Sequence, residues 1–230
     1  MRIYRRSQRY FGVEQLDQRL RRGLVGYWKF NEGSGLTAQD LSGKRNHGTL
    51  INGPKWSLGR EHIGNALSFD GVDDYVDIPS ITTSSIITFE AWFKRISLGV
   101  SYPRLHSRGA SPWSLEFGIN DNIDKLSYFL AFTDDTTTGW QEIYTVTNEI
   151  WYHTAITWDG TWVRLYVNGG EVHSSNAWAG KTLNQGPSNI GGPNYFNGII
   201  DEVRIYNRAL SAEEIKAHSL GARVPILRQL

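Results

Sequence analysis

Gly198-Ile199-Ile200-Asp201-Glu202-Val203-Arg204-Ile205-Tyr206-Asn207-Arg208-Ala209-Leu210-Ser211 is the stretch on which the reading of this chain turns. Residues 195–207 read as one strand, rich in β-branched and aromatic side chains. Ser211-Ala212-Glu213-Glu214 then forms a capping box that opens a helix of about two turns. Within the strand, Asp201 shares the parity of Val203 and Ile205, which are expected to face a core. A carboxylate on that face needs a cation or strong donors. The alternative is that Asp201 caps a turn or pairs with an arginine or lysine.

Working outward, Gly23-Leu24-Val25-Gly26-Tyr27-Trp28-Lys29-Phe30-Asn31-Glu32-Gly33-Ser34-Gly35 opens with a strand over residues 24–30. A polar, glycine-bearing loop over 31–48 follows it. Strands at 66–70 and 75–78 flank Gly71-Val72-Asp73-Asp74. Residues 86–95 alternate, with Phe89, Ala91 and Phe93 on one face and Glu90, Trp92 and Lys94 on the other. Further strands are expected at 113–119, 126–132 and 142–146. A hairpin joins 151–158 to 161–167 through Asp159-Gly160, a two-residue turn signal. Strands at regular spacing, glycine-rich turns and one short helix indicate an all-β antiparallel sandwich or jelly roll. There is no internal repeat.

The 230 residues are 40% hydrophobic and 13% aromatic, which suits one large β domain with a sizeable core. No segment approaches the roughly 18 apolar residues of a membrane span, and the first 22 residues lack a secretory apolar segment. With no cysteine, disulfides and thiolate metal sites are excluded. Charge is uneven. Seven arginines (Arg2, Arg5, Arg6, Arg9, Arg19, Arg21, Arg22) against two acids give residues 1–22 a net +5. Residues 221–230 carry +2 and the body between them −6. The first arm also holds Tyr10 and Phe11, which suits docking on a protein surface while arginines pair with carboxylates. The other reading is a solubilising terminus. The acidic body argues against nucleic acid.

Several segments resemble the laminin-G-like, concanavalin A-like jelly-roll family. They are the opening Gly23–Gly35 segment, the loop from Asp40 to Gly48, Phe69-Asp70-Gly71-Val72-Asp73-Asp74-Tyr75-Val76, Trp151-Tyr152-His153, Leu165-Tyr166-Val167-Asn168-Gly169, and the closing stretch. The resemblance covers about 23–220, leaving 1–22 and 221–230 as arm and tail. It implies two antiparallel sheets packed face to face. It also implies calcium, structural rather than catalytic, near the first loop and last strand. Asp201, Asp40, Asn46 and Glu32 are its candidate ligands, with Asp70 and Asp74 as further ones.

Sugars stack on aromatic rings. Trp140, Trp178, Tyr195 and Phe196 lie in glycine- and polar-rich segments and are the candidate ligand-binding residues, although large aromatics are mostly packed. Catalytic signatures are missing: no Glu-x-Asp-x-x-Glu run, no Gly-x-Ser-x-Gly elbow, no His-Glu-x-x-His. The expected function is that of a non-catalytic virion component, a phage capsid decoration or tail-associated protein. It would display a lectin-like jelly roll anchored to a capsid lattice by its basic arms, with a host glycan or a second copy as further partners. The alternative is a calcium-dependent carbohydrate-binding module of an extracellular protein.

Overall fold

The computed structural model describes residues 18–60, 63–79, 81, 85–96, 103–108, 115–120, 122–192 and 194–221. In chain order the strands begin with β1 (Leu24–Trp28), β2 (Thr37–Ala38), β3 (Gly48–Ile51), β4 (Lys55–Leu58), β5 (Asn65–Asp70), β6 (Tyr75–Ile78), β7 (Ile87–Arg95) and β8 (Arg104–Arg108). They continue with β9 (Leu115–Asn120), β10 (Lys125–Leu130), β11 (Gln141–Thr145), β12 (Trp151–Trp158), β13 (Val163–Val167), β14 (Gly170–Ser175), β15 (Ser188–Ile190) and β16 (Asn197–Tyr206). The helix Ala212–Ser219 follows β16. No helix among the described residues is long and apolar enough to cross a membrane.

The strands form two antiparallel sheets. The first runs β14-β13-β12-β7-β16-β5-β4, with β1 also on β16; the second runs β11-β10-β9-β8-β15-β6-β3-β2. The alternation of β7 sends Phe89, Ala91 and Phe93 inward, where they meet Phe117, Ile119 and Tyr128 of the second sheet's strands in one core. This is the expected jelly-roll sandwich. The readings at 75–78 and 151–158 match the observed strands, and the capping box is formed, Ser211 Oγ accepting from the Glu214 amide.

The outward face of the first sheet is covered as well. Leu20, Leu24, Tyr27, Ala155, Tyr166, Tyr206, Leu210 and Ile215 make a second apolar cluster beneath the helix. Arg208 closes it. Its guanidinium bonds both Glu214 oxygens, Nη1 at 2.8 Å and Nη2 at 2.9 Å, and donates to the carbonyls of Arg22 (2.6 Å) and Arg19 (2.7 Å). Residues 18–22, assigned from sequence to the basic arm, are therefore packed onto the jelly roll.

β16 contains the feature that positions everything behind this sheet. Its first half pairs with β5 and its second half with β1, while β7 lies along its other edge. Between Asp201 and Arg204 the register against β7 slips, and Glu202 takes a left-handed φ of 52°. One extra residue reverses the alternation. Ile200, Val203 and Ile205 point into the core. Asp201 and Arg204 instead lie opposite Trp92 and Glu90 on the outward face of β7. The expectation that Asp201 points into the sandwich is thus corrected: counting parity from Val203 crosses a bulge. The left-handed backbone is held by three bonds. The Glu202 amide donates to Asp201 Oδ1 (2.8 Å), and its carboxylate accepts from Tyr27 Oη (2.6 Å) and Arg204 Nη2 (2.5 Å).

A second correction concerns the hairpin at Asp159-Gly160. β12 ends at Trp158 and β13 starts at Val163, so four residues connect them. Asp159 Oδ1 accepts from the amides of Thr161 (2.8 Å) and Trp162 (2.6 Å), an Asx-type turn that takes those amides out of the ladder. Strands β2, β3, β4, β8, β14 and β15 are further additions, all short and mostly polar.

Candidate functional site

Asp40 is the hub of the first loop. Its Oδ1 accepts from the amides of Tyr27 (2.9 Å) and Ser42 (2.8 Å). Its Oδ2 accepts from Ser42 Oγ (2.8 Å) and the Asn46 amide (2.9 Å). Asn46 in turn donates from Nδ2 to the Val25 carbonyl (2.8 Å) and accepts from Trp28 Nε1 (3.0 Å) on its own carbonyl. Glu32 Oε1 accepts from the Gln39 amide (2.7 Å). Asp201 lies on the outward face of the first sheet with its own donors. Asp201, Asp40, Asn46 and Glu32 therefore do not fit a calcium ion as one ligand set: both Asp40 oxygens are spent on four N–H and O–H donors. Among the described residues, the acids whose ligand atoms gather within 4.8 Å are Asp70, Asp73 and Asp74. Their bonds close the β5–β6 turn, with the Asp70 amide donating to Asp74 (3.1 Å) and the Val72 amide to Asp70 (2.8 Å).

Behind the first sheet, the bulge assembles a buried charged cluster. Glu90 is fully buried and is faced by Arg204 at 3.6 Å, His153 at 3.7 Å and His218 Nδ1 at 2.6 Å. These are close polar contacts outside aligned hydrogen-bond geometry, with Arg204 as the permanent positive charge among them. Burial alone raises the Glu90 pKa, but His218, Arg204 and His153 outweigh it and hold it down at about 2. Burial brings His153 down to about 4 against the pull of Glu90. Burial, with Glu202 adding to it, pushes Asp201 up to about 7. A cavity of about 100 Å³, lined in part by Lys29, Arg60, Trp92, Asp201 and His218, opens beside the cluster. Arg60 lies over the Trp92 ring at 4.1 Å. The cluster is packed shut by the helix and reads as a structural latch.

These shifts set the pH response. His153, brought by burial to about 4, stays neutral in the fold while its unfolded form, near 6.5, takes up a proton. Stability is therefore lost as pH falls from about 6.5 towards 4. Asp201 acts in the opposite sense. Its raised pKa gives a contribution that is full below its unfolded value of 3.8 and is lost as pH rises through about 7. Asp201→Asn is accordingly expected to gain Tm over the parent by a few degrees at about pH 8 and by much less at about pH 5. Melting both proteins at the two pH values checks this; an equal difference at both would show that Asp201 carries no such shift.

The outward face of the second sheet has a different character. Cross-strand partners Phe129, Glu116, Ser107, Asn189, Asp77 and Thr49 form one transverse row over five strand boundaries, from β10 to β3. Most neighbours of these residues along each strand are core side chains, so the row lies on the sheet's outer side, where Glu116 and Ser107 are themselves buried. Arg104 and Glu116 form an ion pair, and Arg104 stacks over Trp140 at 4.4 Å. Phe129 lies 5.5 Å from Trp140, and Asn120 Nδ2 donates to Glu142 Oε1 at 2.5 Å. Ser107 Oγ and Asn189 Oδ1 are buried with no hydrogen-bond partner. An aromatic platform beside fixed donors and acceptors is the arrangement that binds a hydroxyl-rich ligand.

Of the aromatic candidates, Trp140 alone belongs to this face by its contacts. Tyr195 is half-buried in the loop before β16. Trp178 packs against the edge of the core, in a turn whose Gly180 amide donates to the Gly160 carbonyl (2.7 Å). Phe196 is fully buried and stacks edge-on with Phe93 at 6.2 Å, so its expected surface role is corrected. Its glycine- and asparagine-rich context suggested exposure, but the ring turns into the core. Of the anchoring candidates, Arg2, Arg5, Arg6, Arg9, Tyr10 and Phe11 lie outside the described residues. Arg21 and Arg22 line a groove of about 500 Å³ with Lys44 and Arg208, and Arg19 lies 3.8 Å from Glu214. Glu116, Ser107, Asn189, Asp77 and Arg104 were not singled out by the sequence reading. Their signal, period-two polarity in short strands, is weak without the pairing.

Residues 70–216 match the profile of the family described as the concanavalin A-like lectin/glucanases superfamily. The chain belongs to this superfamily. A lectin-like jelly roll is what the chain carries. Solved structures agree on the fold. The binding domain of Paraclostridial Mosquitocidal Protein 1 matches at 19% identity with a TM-score of 0.69, over 87% of this chain and 52% of that one. Domain 4 of AbnA, an extracellular arabinanase from Geobacillus stearothermophilus solved with arabinotriose, matches at 19% identity and 0.65, over 85% and 98%. A Trypanosoma rangeli sialidase matches at 18% and 0.64, over 86% and 32%. The chain thus spans about half of the mosquitocidal chain and about a third of the sialidase. No curated protein sequence matches it.

Proposed function

We propose that this superfamily member is a non-catalytic glycan-binding module whose site is the outward face of the second sheet around Trp140, Arg104, Glu116, Ser107, Asn189 and Asp77. The observation that carries the reading is the transverse polar row ending on the Arg104–Trp140 stack, with Ser107 Oγ and Asn189 Oδ1 unpartnered. The arabinotriose complex of the similar arabinanase domain supports it by analogy of fold. A second reading, display on a virion through the basic arms, is supported by the +5 charge of residues 1–22, most of which lie outside the described residues.

Glycan-array binding followed by calorimetry tests the site. Asn189→Ala, Asp77→Ala and Trp140→Ala are each expected to weaken binding tenfold or more, about 1.4 kcal/mol, without lowering Tm by more than a few degrees. Trp178→Ala is expected to leave affinity unchanged. Full affinity in all of the first three variants overturns the assignment. A chain lacking residues 1–17 separates the two readings: it keeps glycan binding under the first and loses particle association under the second.

A further inference from the structure

Arg108 is a guanidinium buried inside the sandwich with no counter-charge among the described residues. It is 1% exposed, and its cross-strand partner on β9 is the core residue Leu115. His106, two residues before it, stacks on the core ring of Phe89 at 4.5 Å, which confirms the inward face. Arg108 Nη2 reaches the Ile81 carbonyl at 3.4 Å and Gln185 Oε1. Nε and Nη1 have no partner, and no carboxylate pairs with Arg108 among the described residues. The flanking sequence offers none: residues 78–89, 104–115 and 182–200 contain no Asp or Glu. An arginine buried in this way is normally paired, since a lone buried charge is costly.

Beyond the Ile81 carbonyl and the Gln185 amide oxygen, the surroundings add a hydroxyl and, among the described residues, no carboxylate. Ser188, directly opposite Arg108 on β15, is buried and its Oγ is unpartnered. His106 Nδ1 lies 3.1 Å from the Asn189 carbonyl, an oxygen that only accepts, so Nδ1 carries the proton. The imidazole is thereby fixed in one tautomer. Gln185 is exposed as a residue, yet among the described residues its side-chain oxygen is the one side-chain acceptor that reaches the guanidinium. A neutral amide oxygen on a surface side chain stands where a negative charge belongs.

We infer that Arg108 and Ser188 form an interior site for a small monoanion of halide or carboxylate size, with the Gln185 side chain as its displaceable cover. Gln185 swings outward and the anion takes its place on the edge formed by Arg108 Nε and Nη2, accepting also from Ser188 Oγ. Ser107 and Asn189 sit on the opposite face of the same two strands, but the site stands independently of any glycan bound there.

Two measurements test it. Bromide soaked into crystals of the wild-type chain is expected to give an anomalous peak within hydrogen-bond distance of Arg108. In solution, about 0.3 M bromide is expected to raise the wild-type Tm by roughly 4 °C over Gln185→Glu measured in the same salts. Gln185→Glu places a tethered carboxylate at the guanidinium, so it melts higher than wild type at low salt and loses the bromide response. Formate acting as strongly as bromide assigns the site to carboxylates, and bromide acting alone assigns it to halides. Absence of the bromide peak, or equal bromide responses in wild type and Gln185→Glu, overturns the inference.

Discussion

Arg204→Met is expected to cost about 3–5 kcal/mol of folding stability, the range seen when one partner of a buried ion pair is removed. Arg204 is 3% exposed and reaches three groups: Glu90 at 3.6 Å, Glu202 at 2.5 Å and Tyr27 Oη at 3.1 Å. Burial works against its charge, but Tyr27, Glu202 and Glu90 hold its pKa above the ordinary arginine value. Methionine fills much of the same volume, so the expected loss is electrostatic. It leaves Glu90 fully buried with only the two histidines facing it. For a domain of this size the cost corresponds to a Tm drop of roughly 6–20 °C. Glu90→Leu combined with Arg204→Met removes both charges and is expected to recover at least half of it, because replacing a whole buried pair by apolar groups is often neutral. Urea unfolding of the four proteins of this cycle checks both statements. A single variant within about 1 kcal/mol of the parent would show that the cluster is not coupled as described.

Asp40→Ala is expected to cost about 3 kcal/mol, since it strands a buried amide and three further donors at once. The donors are the Tyr27, Ser42 and Asn46 amides and Ser42 Oγ, two on each carboxylate oxygen. That symmetry makes Asp40→Asn informative. An amide accepts on one oxygen only, and its NH2 would face two donors, so asparagine is expected to retain less than half of the stabilisation. A calcium ligand would behave differently: its loss would flatten the response of Tm to chelator. Thermal melts of parent, Asp40→Ala and Asp40→Asn, each with and without chelator, separate the two. Destabilisation that is independent of chelator is the expected result.

These two residues also show what the sequence could and could not reveal. The architecture was legible because β7, β12 and β13 put their inter-sheet core side chains at alternate positions, and alternation records that directly. Asp201 was recognised as out of place, but its direction was not legible, because Glu202 looks like any strand residue until its backbone turns left-handed. Asp40 was recognised as chemically prominent, yet its partners are main-chain amides, which every residue but proline possesses. The candidate face escaped for another reason. β8 reads Arg-Leu-His-Ser-Arg and β15 reads Ser-Asn-Ile, compositions that resemble loops until strand pairing places them side by side. Phe196 misled by its neighbours, since a loop-like context does not say which way a ring turns.

The position of β16 bears on how the chain is made. It lies between β7 on one edge and β5 and β1 on the other, so the centre of the first sheet is filled by its last strand. During synthesis β1, β5 and β7 wait with apolar faces and unpaired edges until residues 197–206 leave the ribosome. Pairings such as Leu24 with Tyr206 span almost the whole domain, which makes folding slow and late rather than progressive. A nascent chain halted before Asn197 is therefore expected to be a sticky intermediate, and the acquisition of structure is coupled to the emergence of β16.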